Sequence, residues 1–330
     1  MRERALGVVL LALGGTISVP GQARGARLSG AEITAAVPGL AELGVPLEVR
    51  DVHAVPGGSL TFAQVLDVVA DASRAVAEGA DGVVVTQGTD TLEETAFLAD
   101  LVWPHDAPFV LTGAMRQPAM AGADGPANVL AAVRVAAARE ARGAGALVVL
   151  NDEVHAARWV RKTHSTNPAA FASPSAGPLG HVVEGRVRML LTPPRHEPLP
   201  ADVDRERLET ARVALHVVTL DDDGARLDGL EATHRGLVVA GFGVGHVPDV
   251  LAPRLGALAA HLPVVLTSRT GSGSVLRHTY EAPGSETDLR RRGLIDGGFL
   301  DPYKARVLLR LLLATGAGRD GIAEAFALRG

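Results

Sequence analysis

The chain has 330 residues, 47% of them hydrophobic and only 3% aromatic, enough for two domains with a substantial core. A formal net charge of −5, with arginines scattered along the chain, excludes the basic stripe that grips nucleic acid or another polyanion. The chain has no cysteine, which removes disulfides, thiolate metal sites and cysteine nucleophiles and fits a reducing compartment, the cytoplasm.

In chain order, Met1-Arg2-Glu3-Arg4 and the apolar run 6–13 imitate the start of a secretion signal. The same run reads better as a buried first strand, since cleavage there would remove the segment that presents Thr16. Further strands are expected at 47–53, 82–86, 109–112 and 146–150, and helices at 31–37, 62–78, 90–102 and 126–142. Strand-length apolar runs alternating with alanine-rich helical segments predict an α/β fold, a larger, mainly parallel sheet with helices on both faces. Pro126, just behind Asp124-Gly125, suits the first turn of its helix, where a missing N–H costs nothing. Residues 151–195 look less regular, and the proline-rich stretch 193–200 reads as a connection. A smaller α/β domain follows, with strands at 213–220, 236–240 and 263–267 and helices at 250–260 and 304–314. The expected organisation is therefore a domain over 1–195, a linker over 196–210 and a second domain over 211–330. No run approaches the roughly 20 apolar residues that cross a bilayer, so no membrane partner is expected.

Two runs share one chemical design. Leu13-Gly14-Gly15-Thr16-Ile17 and Thr86-Gln87-Gly88-Thr89-Asp90-Thr91 each end a β-rich segment at glycine and deliver a threonine hydroxyl. Glycine lets a substrate approach closely and leaves backbone N–H groups free for an oxyanion, so the pair suggests one active site. Structural readings stand beside this one. Gly14-Gly15-Thr16 is also a tight turn, without the spacing or the lysine of a phosphate loop. Thr89 or Asp90 could simply cap the helix that Glu93 and Glu94 open.

These runs, with Gly113-Ala114-Met115-Arg116, Ala123-Asp124-Gly125-Pro126, Asn151-Asp152, Lys162-Thr163, Gly177-Pro178-Leu179-Gly180 and Lys304-Ala305-Arg306, resemble the bacterial-type L-asparaginase family across nearly the whole chain. The resemblance implies hydrolysis of L-asparagine to L-aspartate and ammonia without a cofactor, Thr16 attacking the side-chain amide to form an acyl-enzyme. It implies a triad of Thr89, Asp90 and Lys162, in which Lys162 either accepts a proton or serves as a fixed charge. It places the oxyanion at the Thr89 N–H, the substrate ammonium at Asp90 and the leaving ammonia at the Ala114 carbonyl. Ser59 falls where the substrate α-carboxylate is held, or else caps the helix beginning near Thr61. His246 and Glu281 match residues that complete the site across a subunit interface, so a homodimer or homotetramer is implied; both also read as ordinary loop residues. No metal is called for, because the histidines lack ligand-like spacing.

One departure from the family is plain. A tyrosine expected about a dozen residues beyond the nucleophile is missing, since no tyrosine precedes Tyr280. A water, Arg24 or Arg27, or Tyr280 of a neighbouring copy are the candidates to stand in for it. Three other functions stay in view: a glutaminase-asparaginase, a silent amino-acid-binding homologue, and an amidase subunit feeding ammonia to a partner. One methylene separates asparagine from glutamine, worth only about 1–3 kcal/mol of discrimination.

Overall fold

The computed structural model describes residues 7–19 and 27–330 and divides into two compact units, Met1–Ala201 and Asp202–Gly330. The first is built on an eight-stranded sheet. Its strands are β1 (Val8–Ala12), β2 (Leu47–Asp51), β3 (Gly82–Thr86), β4 (Phe109–Thr112), β5 (Ala146–Leu150), β6 (Glu153–Ala156), β9 (Gly180–Val183) and β10 (Arg186–Met189). A separate ribbon pairs β7 (Arg161–Lys162) with β8 (Phe171–Ala172). The helices are α1 (Gly30–Ala35), α2 (Phe62–Ala77), α3 (Leu92–Val102) and α4 (Gly125–Ala137).

Across the sheet the order is β10-β9-β6-β5-β4-β3-β1-β2, parallel from β5 to β2 and antiparallel from β5 to β10. Every residue of β1, β3, β4 and β5 is buried, because helices cover both faces; hence their continuous apolar runs. Val8, Leu10, Ala12, Val84, Val110 and Leu147 pack on α1 and α4, while α2 and α3 pack against the opposite face. Strand β1 is flanked by β2 on one side and β3 on the other, so the chain's progression across the sheet reverses there. A crevice opens beyond the carboxyl ends of strands at such a point, the usual place for a ligand in this architecture.

Several boundaries differ from the sequence expectations. Helix α4 stops at Ala137 and a 3-10 turn covers Arg139–Ala141, so its end precedes the expected one. Strand β2 ends at Asp51, because the N–H groups of Val52 and His53 turn onto Ala12 O. The irregular-looking stretch 151–195 holds β6 to β10, strands of two to four residues too short for a periodic signal. Asn151 and Asp152 both have positive φ, as a two-residue turn between antiparallel β5 and β6 requires. Residues 1–4, at the secretion-like start, lie outside the described residues.

The second unit opens with α5 (Arg205–Thr210), inside the stretch expected as linker. Its parallel sheet runs β11 (Val213–Val217), β12 (Gly236–Gly241), β13 (Val264–Ser268) and β14 (Ile295–Asp296) in sequential order. The remaining helices are α6 (Ala252–Ala259), α7 (Glu286–Arg291), α8 (Pro302–Ala314) and α9 (Arg319–Arg329). Asp301 caps α8 by accepting N–H bonds from Tyr303 and Lys304, and the fully buried Lys304 ammonium lies 3.3 Å from Asp301 Oδ2. Among the described residues no helix is long and apolar enough to cross a membrane.

Candidate active site

The two threonine runs meet at the carboxyl ends of β1 and β3. Register places Ala12 opposite Thr86, so both strands end level, and the Leu13 N–H donates to Thr86 O at 2.9 Å. Beyond them the turns touch backbone to backbone. A Cβ on Gly15 would lie 2.3 Å from Gly88 N, and one on Gly57 would lie 2.6 Å from Gly88 O. Three glycine turns are thus packed more closely than side chains would permit.

Thr16 opens a 3-10 turn, Thr16–Ser18, entered through Gly14 and Gly15 at φ 95° and 94°. Ser18 Oγ donates to Gly15 O at 2.8 Å, and Ile17 and Ser18 are buried, which holds the turn while Thr16 stays partly exposed. Among the described residues no group hydrogen-bonds the Thr16 hydroxyl. Of the two arginines considered as its partner, Arg24 lies outside the described residues. Arg27 Nη1 lies 2.9 Å from where a Cβ on Gly14 would be. A guanidinium has no lone pair to take a proton, so Arg27 could act on Thr16 only as a fixed cation.

On the neighbouring turn, Lys162 Nζ donates to Thr89 Oγ1 at 2.9 Å and to Asp90 Oδ1 at 3.0 Å. The capping alternative for Thr89 and Asp90 fails, because Thr91 occupies the N-cap position of α3 and neither side chain caps it. Thr89 is buried, the Lys162 side chain is 18% exposed and that of Asp90 is 75% exposed, so the triad grades from interior to solvent. Lys162 reaches it from β7, which among the described residues pairs with β8 alone.

The capping alternative for Ser59 fails as well. Thr61 is the N-cap of α2, its hydroxyl accepting the Gln64 N–H while Gln64 Oε1 accepts the Thr61 N–H. Ser59 is exposed at the end of the Gly57–Ser59 turn, which is tied to the turn bearing Thr89 by Thr91 Oγ1 donating to Gly57 O at 2.8 Å. Gln87 Nε2 donates in turn to Thr91 Oγ1 at 3.2 Å.

Ala114 is buried two residues beyond the end of β4, and its turn is locked from the start of α4. Asp124 accepts the N–H groups of Met115 and Arg116, each at 2.9 Å, and Asn128 Nδ2 donates to Gly113 O at 3.0 Å. Sequence reasoning noticed Asp124 only as part of a motif and missed Asn128. A polar asparagine in the first turns of an alanine- and valine-rich helix was the available signal.

In the second unit, His246 Nε2 lies 3.1 Å from Glu286 Oε2, and its ring meets Tyr280 edge-on at 4.8 Å. Glu281 is elsewhere, 83% exposed and 3.9 Å from Arg291. The acid beside His246 is thus Glu286, fully buried and missed by the sequence reading; its Oε1 accepts the N–H groups of Thr279 and Tyr280. Burial pushes the Glu286 carboxyl up, but the Tyr280, Glu286 and Thr279 N–H groups and His246 outweigh it and hold it below the usual range. A depressed folded-state value means stability present above the unfolded value of about 4.3 and lost as pH falls through the folded one. Glu286→Gln should therefore flatten the loss of melting temperature below about pH 4.3. Equal acid slopes in both proteins would refute this.

A strand-end hydroxyl at a reversal point of a parallel sheet thus lies beside a turn whose hydroxyl and carboxylate share one lysine. Residues 7–195 match the family model for the N-terminal asparaginase domain, and residues 212–326 that for the glutaminase/asparaginase C-terminal domain. The chain belongs to the asparaginase family of enzymes. It is 34% identical to an L-asparaginase of Bacillus licheniformis over 97% of this chain and 98% of that one. It is 31% identical to a glutaminase-asparaginase of Pseudomonas fluorescens biotype A, over 94% and 87% of the two chains. The crystal structure of a probable cytoplasmic L-asparaginase from Campylobacter jejuni superposes with a TM-score of 0.86 at 32% identity, covering 98% and 99%.

Proposed function

We propose that this enzyme hydrolyses the side-chain amide of L-asparagine to L-aspartate and ammonia through an ester on Thr16. The backbone contact of Gly15 with Gly88 carries the reading, because it sets the turn bearing Thr16 against the turn bearing Thr89. Thr16 Oγ adds to the amide carbon, the oxyanion is met by the Thr89 N–H, and the hydroxyl proton passes to the departing nitrogen. Water then cleaves the ester, returning the Thr16 hydroxyl and releasing the carboxylate. Lys162, bonded to both Thr89 and Asp90, lends positive charge to the oxyanion side of the site. Asp90, the most exposed of the three, receives the substrate ammonium, Ser59 its α-carboxylate, and the Ala114 carbonyl the leaving ammonia.

The test is ammonia release from L-asparagine and L-glutamine with hydroxylamine present. An acyl-enzyme yields the aspartyl hydroxamate in competition with aspartate, whereas direct attack by water yields aspartate alone. No ammonia from either amide would leave an amino-acid-binding homologue as the reading. Turnover of both at similar kcat/KM would make it a glutaminase-asparaginase, as the Pseudomonas relative is named. We further infer a cytoplasmic homodimer or homotetramer, the location supported by the Campylobacter jejuni neighbour. A monomer by light scattering would refute the assembly.

A further inference from the structure

We propose that Glu93 is a positioning residue that holds Lys162 on Thr89, an inference that rests on the catalytic reading of Lys162 given above. Ribbon β7–β8 stands apart from the main sheet and is two residues wide in each strand. A two-stranded ribbon of that length has little stability of its own. Thr163 N–H donates to Ala170 O at 2.7 Å across the ribbon. In an antiparallel pair successive residues direct their N–H groups to opposite sides, so that of Lys162 faces away from β8. Glu93 Oε2 accepts it at 2.7 Å.

Glu93 lies in the first turn of α3 and is only 7% exposed, an unusual place for a carboxylate. It stands two residues beyond Thr91, which ends the 3-10 turn bearing Thr89 and Asp90. One short segment, 89–93, therefore grips Lys162 at both ends: Thr89 and Asp90 take the ammonium, and Glu93 takes the backbone N–H. The four-carbon stem between those ends is flexible. Fixing its root to the same turn that carries its target leaves only the stem's own rotations to vary the Nζ–Thr89 distance. Lost positioning of this kind, about 1 Å, costs up to about 100-fold in rate.

The hydrogen bond needs an acceptor at the reach of a glutamate, and it does not need the charge. Glu93→Gln should keep kcat within about threefold, while Glu93→Ala and Glu93→Asp lower it by about 10- to 100-fold with KM changing far less. A role through Lys162 also predicts non-additivity: in a Lys162→Ala background, Glu93→Ala should lower the residual kcat by less than about twofold. An equal fold-loss in both backgrounds would show a general structural role and overturn the proposal. If the alanine protein fails to fold, the glutamine and aspartate variants decide: an impaired glutamine enzyme beside an active aspartate one overturns it. A fully active Lys162→Ala enzyme would overturn the reading beneath the proposal, and a loss there with additive Glu93 effects would overturn the proposal alone.

Discussion

Thr16→Ala should leave the fold intact and lower ammonia release from L-asparagine by about 10⁴-fold or more, the scale seen when a nucleophile is removed from a hydrolase. The fold is spared because Thr16 is partly exposed and its hydroxyl has no hydrogen-bond partner among the described residues, while buried Ile17 and Ser18 hold the turn. Stability should change by no more than about 0.5 kcal/mol. Thr16→Ser keeps a nucleophilic oxygen but loses the γ-methyl that restricts χ1, so an intermediate rate is expected. Stopped assays of ammonia with matched melting curves would measure both effects. Retention of more than about one per cent of turnover by the alanine enzyme would remove Thr16 from the chemistry.

Gly15→Ala should be among the most damaging single-methyl additions in the chain. Its backbone, at φ 94° and ψ −169°, lies in a region open essentially to glycine alone, a strain of about 1–3 kcal/mol for any other residue. The new Cβ would also fall 2.3 Å from Gly88 N, 2.4 Å from Gly88 Cα and 2.9 Å from Gln87 C. All three are backbone atoms between the buried strand β3 and the start of α3, so no side chain can swing aside. Adding overpacking of about 1–3 kcal/mol gives a loss of about 2–6 kcal/mol, much of a typical domain's stability. Activity should fall too, because relief of the clash parts the turns of Thr16 and Thr89. Gly58→Ala is the control: its Cβ would meet nothing within 4 Å, so urea unfolding should move by about 0.5 kcal/mol or less. A Gly15→Ala protein with the native urea midpoint and native turnover would contradict this account.

What was legible in the sequence follows from what is local. Strands β1, β3, β4 and β5 showed as unbroken apolar runs because both their faces are covered, whereas the cap of α2, for which Ser59 was a candidate, is Thr61, with Gln64 closing the capping box. Stretch 151–195 was opaque because its strands are only two to four residues long, too short for an alternating apolar pattern to declare itself. Glu93 looked like a first-turn acid favouring a helix dipole. Its bond to a backbone 69 residues away leaves no trace in spacing or composition. Glu286 escaped for the same reason: His246, its partner, is 40 residues from it.

Residue type and order already dictated that two apolar strands end in glycine and then threonine, since glycine alone tolerates such turns and β-branched runs favour extended backbone. Only the tertiary structure decided that these ends become one site. Strand β2 intervenes in the chain, yet β1 pairs with β3, and their register stops both strands at the same level. The packing of helices on both faces of the sheet imposes that pairing. Through it Gly15 comes against Gly88, and α3 comes within reach of a lysine from a distant ribbon.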